Sequence, residues 1–156
     1  ATYSLDTQVA TSGGTAQVWN NVLYNNTIGV RGSTGVATVK NNILSNCTVG
    51  IWGTVTTLTH TNNLYWSCAI PRAGVSSGTG DLSSNPAFLD TTNFRIDSTS
   101  PAVNAGTSAA SVTTIDRDGM RRPAGGAWDI GPYEFGATAV STVTLIGWSE
   151  IVPTPR

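Results

Sequence analysis

The chain has 156 residues, of which only 11% are charged, and its formal net charge is −1 at pH 7. This length is sufficient for one domain with a buried core. The near-neutral charge provides no basic surface of the kind that binds nucleic acid. The sequence has no run of about eighteen or more apolar residues, so we expect no transmembrane helix.

An internal repeat occupies the first half of the chain. Its copies read WNNVLYNNTIGVRG from Trp19 to Gly32, KNNILSNCTVGIWG from Lys40 to Gly53, and TNNLYWSCAIPR from Thr61 to Arg72. Equivalent residues are 21 positions apart in each case. A constant period of this length indicates stacked structural units.

The aligned copies form columns of like residues. The apolar columns are Val22, Ile43 and Leu64; Ile28, Val49 and Ile70; and Val30 with Ile51, which Arg72 interrupts. The spacing of Ile28 and Val30 is typical of one apolar strand face. Short strands and turns fit this period, whereas paired Asn, Gly and β-branched residues disfavour helices. We therefore predict an all-β fold, a parallel β-helix (solenoid) with 21-residue rungs, in which Ile43 and Val49 are buried.

Each copy carries a pair of asparagines at the same place. The pairs are Asn20 and Asn21, Asn41 and Asn42, and Asn62 and Asn63. Asn tolerates the left-handed backbone conformation that a tight corner requires. Stacked amides can also donate hydrogen bonds to one another along an axis. The pairs therefore predict a corner with an asparagine ladder.

The remaining boundaries follow from composition. Residues 1–72 contain the rungs, including part of an earlier one in which Tyr3 aligns with Tyr24 and Val9 with Val30. Residues 73–84 form a Gly/Ser-rich excursion where regular coiling stops or changes. In residues 136–156, the alternation around Thr142 to Ile146 predicts an edge strand before a Pro-containing tail.

A chain of motifs follows the excursion: NP-x-F-x-D, F-R-I and SPA-x-N-x-G within 85–106, D-x-DG-x-x-RP within 116–123, and DIG-x-YEF within 128–135. In this order they resemble the C-terminal part of choice-of-anchor Q domain proteins, with the resemblance covering about residues 20–135. Those are bacterial surface or secreted proteins of the pectate-lyase-like superfold. The resemblance implies a right-handed helix and an extracellular or cell-surface location, but no settled activity.

Because these motifs occur together in that family, we interpret their charged residues as one structural network in a closing segment, residues 85–135. Its members are Asp116, Asp118, Arg122, Asp129 and Glu134. The D-x-D-G sequence also resembles part of a calcium loop, but the bidentate Glu of such a loop is missing. We expect no cofactor and no bound calcium, and melting that is indifferent to a chelator.

Cys47 and Cys68 are 21 residues apart and share a column. Adjacent rungs place equivalent Cα atoms ~4.8 Å apart, within reach of a disulfide. Two reduced, stacked thiols are the alternative. His60 shares a column with Val18 and Val39, which predicts an inward, hydrogen-bonded histidine. Two sulfurs and one distant imidazole do not complete a zinc site.

Aromatic and basic residues share columns on the outside of the predicted rungs: Trp19 with Lys40, Arg31 with Trp52, and Tyr24 with Trp66. Indole faces stack on sugar rings, so these six are candidates for contact with a polysaccharide or cell-surface glycan. They could instead cover rung edges or face another subunit. Asn25 and Asn46 lie in glycosylation sequons at equivalent positions.

Catalysis has little support in the repeats, because they contain no carboxylate after Asp6 and hydrolysis needs a pair. We predict a non-catalytic structural, adhesive or carbohydrate-contacting solenoid. The alternative is the C-terminal piece of a polysaccharide lyase or hydrolase with its active rungs upstream. If residue 1 is the native terminus, the open edge of the first rung predicts head-to-tail filaments of this chain, with Thr142 to Ile146 as the covering strand.

Overall fold

The computed structural model describes residues 7–9, 14–32, 35–53 and 58–138. In these ranges the regular structure is entirely β, and no helix is present that could cross a membrane. The strands are β1 (Thr7–Val9), β2 (Thr15–Trp19), β3 (Val22–Tyr24), β4 (Ile28–Gly32), β5 (Val36–Lys40), β6 (Ile43–Ser45), β7 (Val49–Trp52), β8 (Leu58–Thr61), β9 (Leu64–Trp66), β10 (Ile70–Ala73) and β11 (Leu82–Ser83).

All strand pairs are parallel, and they form three sheets. Sheet 1 has the order β1-β4-β7-β10, sheet 2 has β2-β5-β8, and sheet 3 has β3-β6-β9-β11. One strand from each sheet makes a rung: β2 to β4 form rung 1, β5 to β7 form rung 2, and β8 to β10 form rung 3. Trp19 lies opposite Lys40, which lies opposite Thr61. The predicted parallel solenoid with a 21-residue repeat is therefore confirmed.

The register departs from this period at both ends of the described solenoid. Val9 lies opposite Gly32 and not opposite Val30 as predicted, because the β1–β2 connection is two residues longer than the β4–β5 connection. At the other end, Leu82 lies opposite Leu64, which is a spacing of 18 residues. Tyr3 and the segment from Thr142 to Ile146 are outside the described residues.

The interior of the solenoid is filled by one inward column from each sheet. These columns are Val18 with Val39 in sheet 2, Leu23 with Leu44 and Tyr65 in sheet 3, and Val30 with Ile51 in sheet 1. Ala37 and Leu58 complete this core. Since side chains alternate along a strand, the Val22 column of sheet 3 faces the opposite way, to the outside.

Residues 85–138 bury that outer face. Ile43 and Leu64 are fully buried there, in a second core with Ile96, Ala102 and Ile130. The segment also contacts rung 1, where the rings of Phe94 and Tyr24 are 5.0 Å apart. The region predicted as a closing segment therefore packs along the side of the solenoid, while the excursion covers the end of rung 3.

Val49 is only partly buried, contrary to the prediction, and Ile70 in the same column is 47% exposed. The next two residues, Gly50 and Ile51, are both buried, so side chains do not alternate regularly at the start of β7. Val49 is the first residue of this strand and stays partly exposed. Of the two residues predicted to be buried, only Ile43 is.

The second asparagine of each pair forms a ladder along the axis. Asn42 Oδ1 accepts a hydrogen bond from the Asn21 backbone N–H at 3.0 Å, and Asn63 Oδ1 accepts one from Asn42 at 3.0 Å. The Nδ2 groups add the side-chain links, Asn42 to Asn63 at 3.0 Å and Asn21 to Asn42 at 3.3 Å. Asp81 ends the ladder by accepting from the Asn63 backbone N–H at 3.0 Å. A carboxylate is an acceptor-only group, so it suits the last position.

The first asparagine of each pair turns the corner and holds the outer layer. Asn20, Asn41 and Asn62 all have positive φ, between 51° and 58°. Asn41 Nδ2 donates to the Thr107 carbonyl at 2.7 Å, and Asn41 Oδ1 accepts from the Thr107 N–H at 2.9 Å. Asn62 Nδ2 donates to the Ala105 carbonyl at 3.0 Å. The two asparagines of each pair thus have different structural roles.

Substitution of Ile43 by Ala should lower the free energy of unfolding by ~2–5 kcal/mol, because it opens a cavity between sheet 3 and the outer layer. Val36→Ala is the matched control, since Val36 is half exposed on the neighbouring strand, and its change should stay within ~0.5 kcal/mol. Urea unfolding measures both. A loss below about half a kcal/mol for Ile43→Ala would contradict the second core.

Replacing Asn42 by Ala should cost at least ~2 kcal/mol, because the Asn21 N–H and the Val18 carbonyl each lose a partner. Thr48→Ala, an exposed change on the same rung, should cost less than ~0.5 kcal/mol. Equal losses in the two variants in urea unfolding would show that the ladder contributes no more than a surface hydroxyl.

Candidate functional site

The inward columns change from aliphatic to polar residues at rung 3. His60 takes the place of Val39, Tyr65 that of Leu44, and Arg72 that of Ile51. Each of the three sheets therefore directs one polar side chain into the interior at the same level. A lone polar group buried there would be costly, so this level requires a shared partner.

Asp81 is that partner. Its Oδ2 lies 3.0 Å from His60 Nδ1 and 3.6 Å from Arg72 NH1. The Tyr65 hydroxyl donates to the same oxygen at 3.4 Å, and the Gly78 backbone N–H donates to it at 3.0 Å. We call His60, Tyr65, Arg72 and Asp81 the end cluster. The excursion thus carries one carboxylate over the last rung, and this carboxylate binds all three inward polar groups.

The end cluster is largely buried, and Arg72 is its most exposed member. The His60 and Asp81 side chains are 5% and 3% exposed, and His60 Nε2 lies 2.8 Å from the Ser76 carbonyl. Burial would raise the pKa of Asp81, but the interaction with His60 and the N–H groups of Asn63 and Gly78 hold it below its ordinary value. This carboxylate therefore stays ionised and stabilises the end of the solenoid. Because its side chains are paired with one another, we interpret the end cluster as a structural cap.

Sequence reasoning foresaw an inward His60 but missed the end cluster. The available signal was that His60 and Arg72 both replace aliphatic residues in the same copy of the repeat. The partner could not be found in this way, because Asp81 follows β10 at a spacing that departs from the period.

A second polar network lies in the outer layer. Asp116 Oδ1 accepts from the Met120 N–H at 2.8 Å, and its Oδ2 accepts from the Glu134 N–H at 3.0 Å. Arg122 NH1 lies 3.2 Å from Glu134 Oε2. Asp129 accepts the backbone N–H groups of Asn104 and Phe135. Burial raises the pKa of both Asp129 and Glu134. Four of the five predicted network residues thus lie together in this layer and pair with buried backbone groups and with each other.

Asp118 differs from the other four. Its carboxylate is partly exposed and pairs with Arg95, and only its backbone N–H joins the network, by donating to Asp116. Arg95 also stacks on the Tyr133 ring at 4.5 Å, beside a cleft of about 260 Å³. The carboxylates of the D-x-D-G sequence are therefore engaged by protein donors. Among the described residues no cluster of metal-ligating side chains is present.

Three of the six carbohydrate candidates are engaged within the protein. Lys40 Nζ lies 3.6 Å from the Trp19 ring centroid and donates to the Ser108 carbonyl at 2.8 Å. The ring of Tyr24 packs on Phe94, which belongs to the outer layer. These three side chains therefore help to attach residues 85–138 to the solenoid.

The other three stay accessible. Arg31 stacks over the Trp52 ring at 4.9 Å, and Trp52 is 36% exposed. Trp66 is 42% exposed at the end of β9. Ile70 and Val49 begin β10 and β7, where Ile70 is exposed and Val49 partly buried. The accessible side of sheet 1 thus carries aromatic and cationic groups, with aliphatic groups at the start of its strands.

The remaining candidates lie at the corner between sheets 3 and 1. Cys47 is buried and Cys68 partly exposed, and both are free thiols. Asn25 and Asn46 have exposed side chains and positive φ, 59° and 56°. The sequon side chains are therefore exposed, whereas Cys47 is buried and Cys68 partly so.

Asp81→Asn should lower stability at neutral pH by ~3–5 kcal/mol, because Arg72 loses its counter-charge and His60 loses its hydrogen-bond partner. The folded pKa of Asp81 is lowered, so its contribution is present above the unfolded pKa and lost as pH falls through the folded pKa. The difference between wild type and variant in urea unfolding should therefore narrow from about pH 7 to about pH 3. Asp97→Asn is the control on magnitude, since its carboxylate bonds to the adjacent Ser98 and Thr99 and its loss should cost less at neutral pH. A constant difference across this range would refute the ionised pair.

No family model, curated protein or solved structure matches this chain.

Proposed function

We propose that this chain is a non-catalytic, carbohydrate-contacting solenoid of an extracellular or cell-surface protein, and that it binds glycan through the outer face of sheet 1. The observation that carries the proposal is Trp52, a partly exposed indole with Arg31 stacked on it. Free indole faces bind the apolar faces of sugar rings, and guanidinium groups donate to sugar hydroxyl or carboxylate oxygens.

The strand register supports a sugar site next to Trp52. Trp52 lies opposite Arg31 on one side and opposite Ala73 on the other. The short side chain of Ala73 leaves space over rung 3, beside the indole. A pyranose ring in this space would contact Trp52, with Arg31 fixed behind the aromatic ring. The stacked cation also limits the motion of the indole, which reduces the entropy lost on binding.

A second contact point extends the same face. Trp66 lies at the corner that leads into β10, which begins with the exposed Ile70. Two aromatic contacts along a strand direction suit an extended polymer better than a single small sugar. The described repeats carry no outward carboxylate on this face, so binding without hydrolysis is the activity that fits.

The extracellular setting rests on the resemblance to choice-of-anchor Q domain proteins and on a composition rich in Thr, Ser, Asn and Gly. Two exposed sequon asparagines at one corner are compatible with this setting. We also propose that the solenoid coils in a right-handed sense, as the same resemblance implies. We further propose that copies of this chain can associate head to tail.

Binding to a panel of soluble and insoluble polysaccharides, measured by affinity electrophoresis and pull-down, tests this function. We expect at least one polymer to bind, and Trp52→Ala to weaken binding about tenfold, equivalent to ~1.4 kcal/mol. Trp66→Ala should weaken it as well. Phe135→Ala is the matched control, since Phe135 is an exposed aromatic of the outer layer, and it should bind like wild type. Absence of binding to every polymer, or an unchanged Trp52→Ala, would overturn the proposal.

A further inference from the structure

Cys47 and Cys68 occupy directly opposite positions on rungs 2 and 3. The Ala69 N–H donates to the Cys47 carbonyl at 3.1 Å, which is the parallel pattern expected when residue 68 lies beside residue 47. The same pattern one rung earlier, from Thr48 to the Asn26 carbonyl at 3.0 Å, extends the column to Asn26. The two cysteines are therefore neighbours along the axis.

Their sulfur atoms have equivalent surroundings. Cys47 Sγ lies 3.5 Å from the Leu23 carbonyl, and Cys68 Sγ lies 3.4 Å from the Leu44 carbonyl, one rung later. Side chains with the same partners on successive rungs point in the same direction. The two thiols are thus stacked, each with its Sγ beside the carbonyl of a residue on the preceding rung.

The two thiols differ in access and acidity. Cys47 is buried, whereas Cys68 is partly exposed between two exposed residues, Ser67 and Ala69. The neighbouring Cys68 thiol, together with burial, raises the pKa of Cys47. The interaction with Cys47 outweighs burial at Cys68 and lowers its pKa to about 7. Since the thiolate is the nucleophile, the accessible cysteine is also the reactive one.

We propose that Cys68 is a reactive thiol and Cys47 its resolving partner, so that exchange with a low-molecular-weight disulfide forms a covalent link between rungs 2 and 3. In the first step the Cys68 thiolate attacks one sulfur of the external disulfide, and a mixed disulfide forms as one thiolate leaves. In the second step Cys47 gives its proton to solvent and attacks the Cys68 sulfur, and the second external thiolate leaves. The two cysteines are oxidised and the external disulfide is reduced to two thiols.

The fold is suited to this bond without rearrangement. Equivalent Cα atoms on adjacent parallel strands are ~4.8 Å apart, within the ~4.4–6.8 Å range of disulfides. The bond would join residues 21 positions apart, so it would reduce the freedom of the unfolded chain and stabilise the solenoid. It would also fix the corner next to Trp66 and β10.

The first test uses the wild-type chain. Glutathione disulfide is added to reduced protein, and intact mass is followed. We expect a transient glutathione adduct, then a product lighter than the reduced protein by two hydrogen atoms, with a higher melting temperature that a reductant reverses. Sub-stoichiometric iodoacetamide followed by peptide mapping should label Cys68 well before Cys47. A stable adduct without the internal bond, or equal labelling of the two cysteines, would overturn the proposal.

The second test separates the two roles. Cys47→Ala should retain the glutathione adduct on Cys68, because no resolving thiol remains. Cys68→Ala should react at least tenfold more slowly than wild type. The double variant is the control, and circular dichroism establishes that each variant is folded. Rapid modification of folded Cys68→Ala would contradict the assignment of Cys68 as the reactive thiol.

Discussion

The hydrogen-bonded column of Asn21, Asn42 and Asn63 is the interaction on which the rest of the structure depends. It fixes the distance and register of successive rungs at one corner, and all three sheets inherit that register. A hydrogen bond adds little net stability in water, but an unpaired buried amide is expensive. The column therefore acts mainly by excluding slipped registers, in which each buried amide would lose its partners. Asp81 completes it because its carboxylate accepts where no further asparagine follows.

Sheet 3 is the element shared by two cores. Its inward side contributes Leu44 to the solenoid interior, and its outward side contributes Ile43 to the layer formed by residues 85–138. A short stack of rungs buries little surface by itself, so a second layer adds a substantial share of the apolar burial. This arrangement also explains why the strands of sheet 3 have consecutive apolar residues instead of alternating apolar and polar ones.

Polar groups inside the molecule and aromatic groups outside it have separate roles. The end cluster around Asp81 and the network around Asp116 are mostly buried and internally paired, so they stabilise the end of the solenoid and the loops of the outer layer. The outer face of sheet 1 has no such covering in the described residues, and Trp52 remains partly exposed there. Function is therefore proposed on the accessible face, and the stacked cysteines next to it supply a place where oxidation could stiffen the same region.

The sequence by itself determined the repeat, the parallel stacking and the columns, because a constant period translates directly into register. It also placed Trp52 beside Arg31, because the two residues are 21 positions apart and therefore share a column. Only the tertiary structure decided which columns are buried and by what: Ile43 is buried by a distant segment, and Val49 stays partly exposed. Only the tertiary structure brought Asp81 to His60 and Arg72, and Asp118 to Arg95. Periodicity specifies neighbours along the axis, whereas contacts between the repeat and the non-repeating remainder depend on how the chain leaves the last rung.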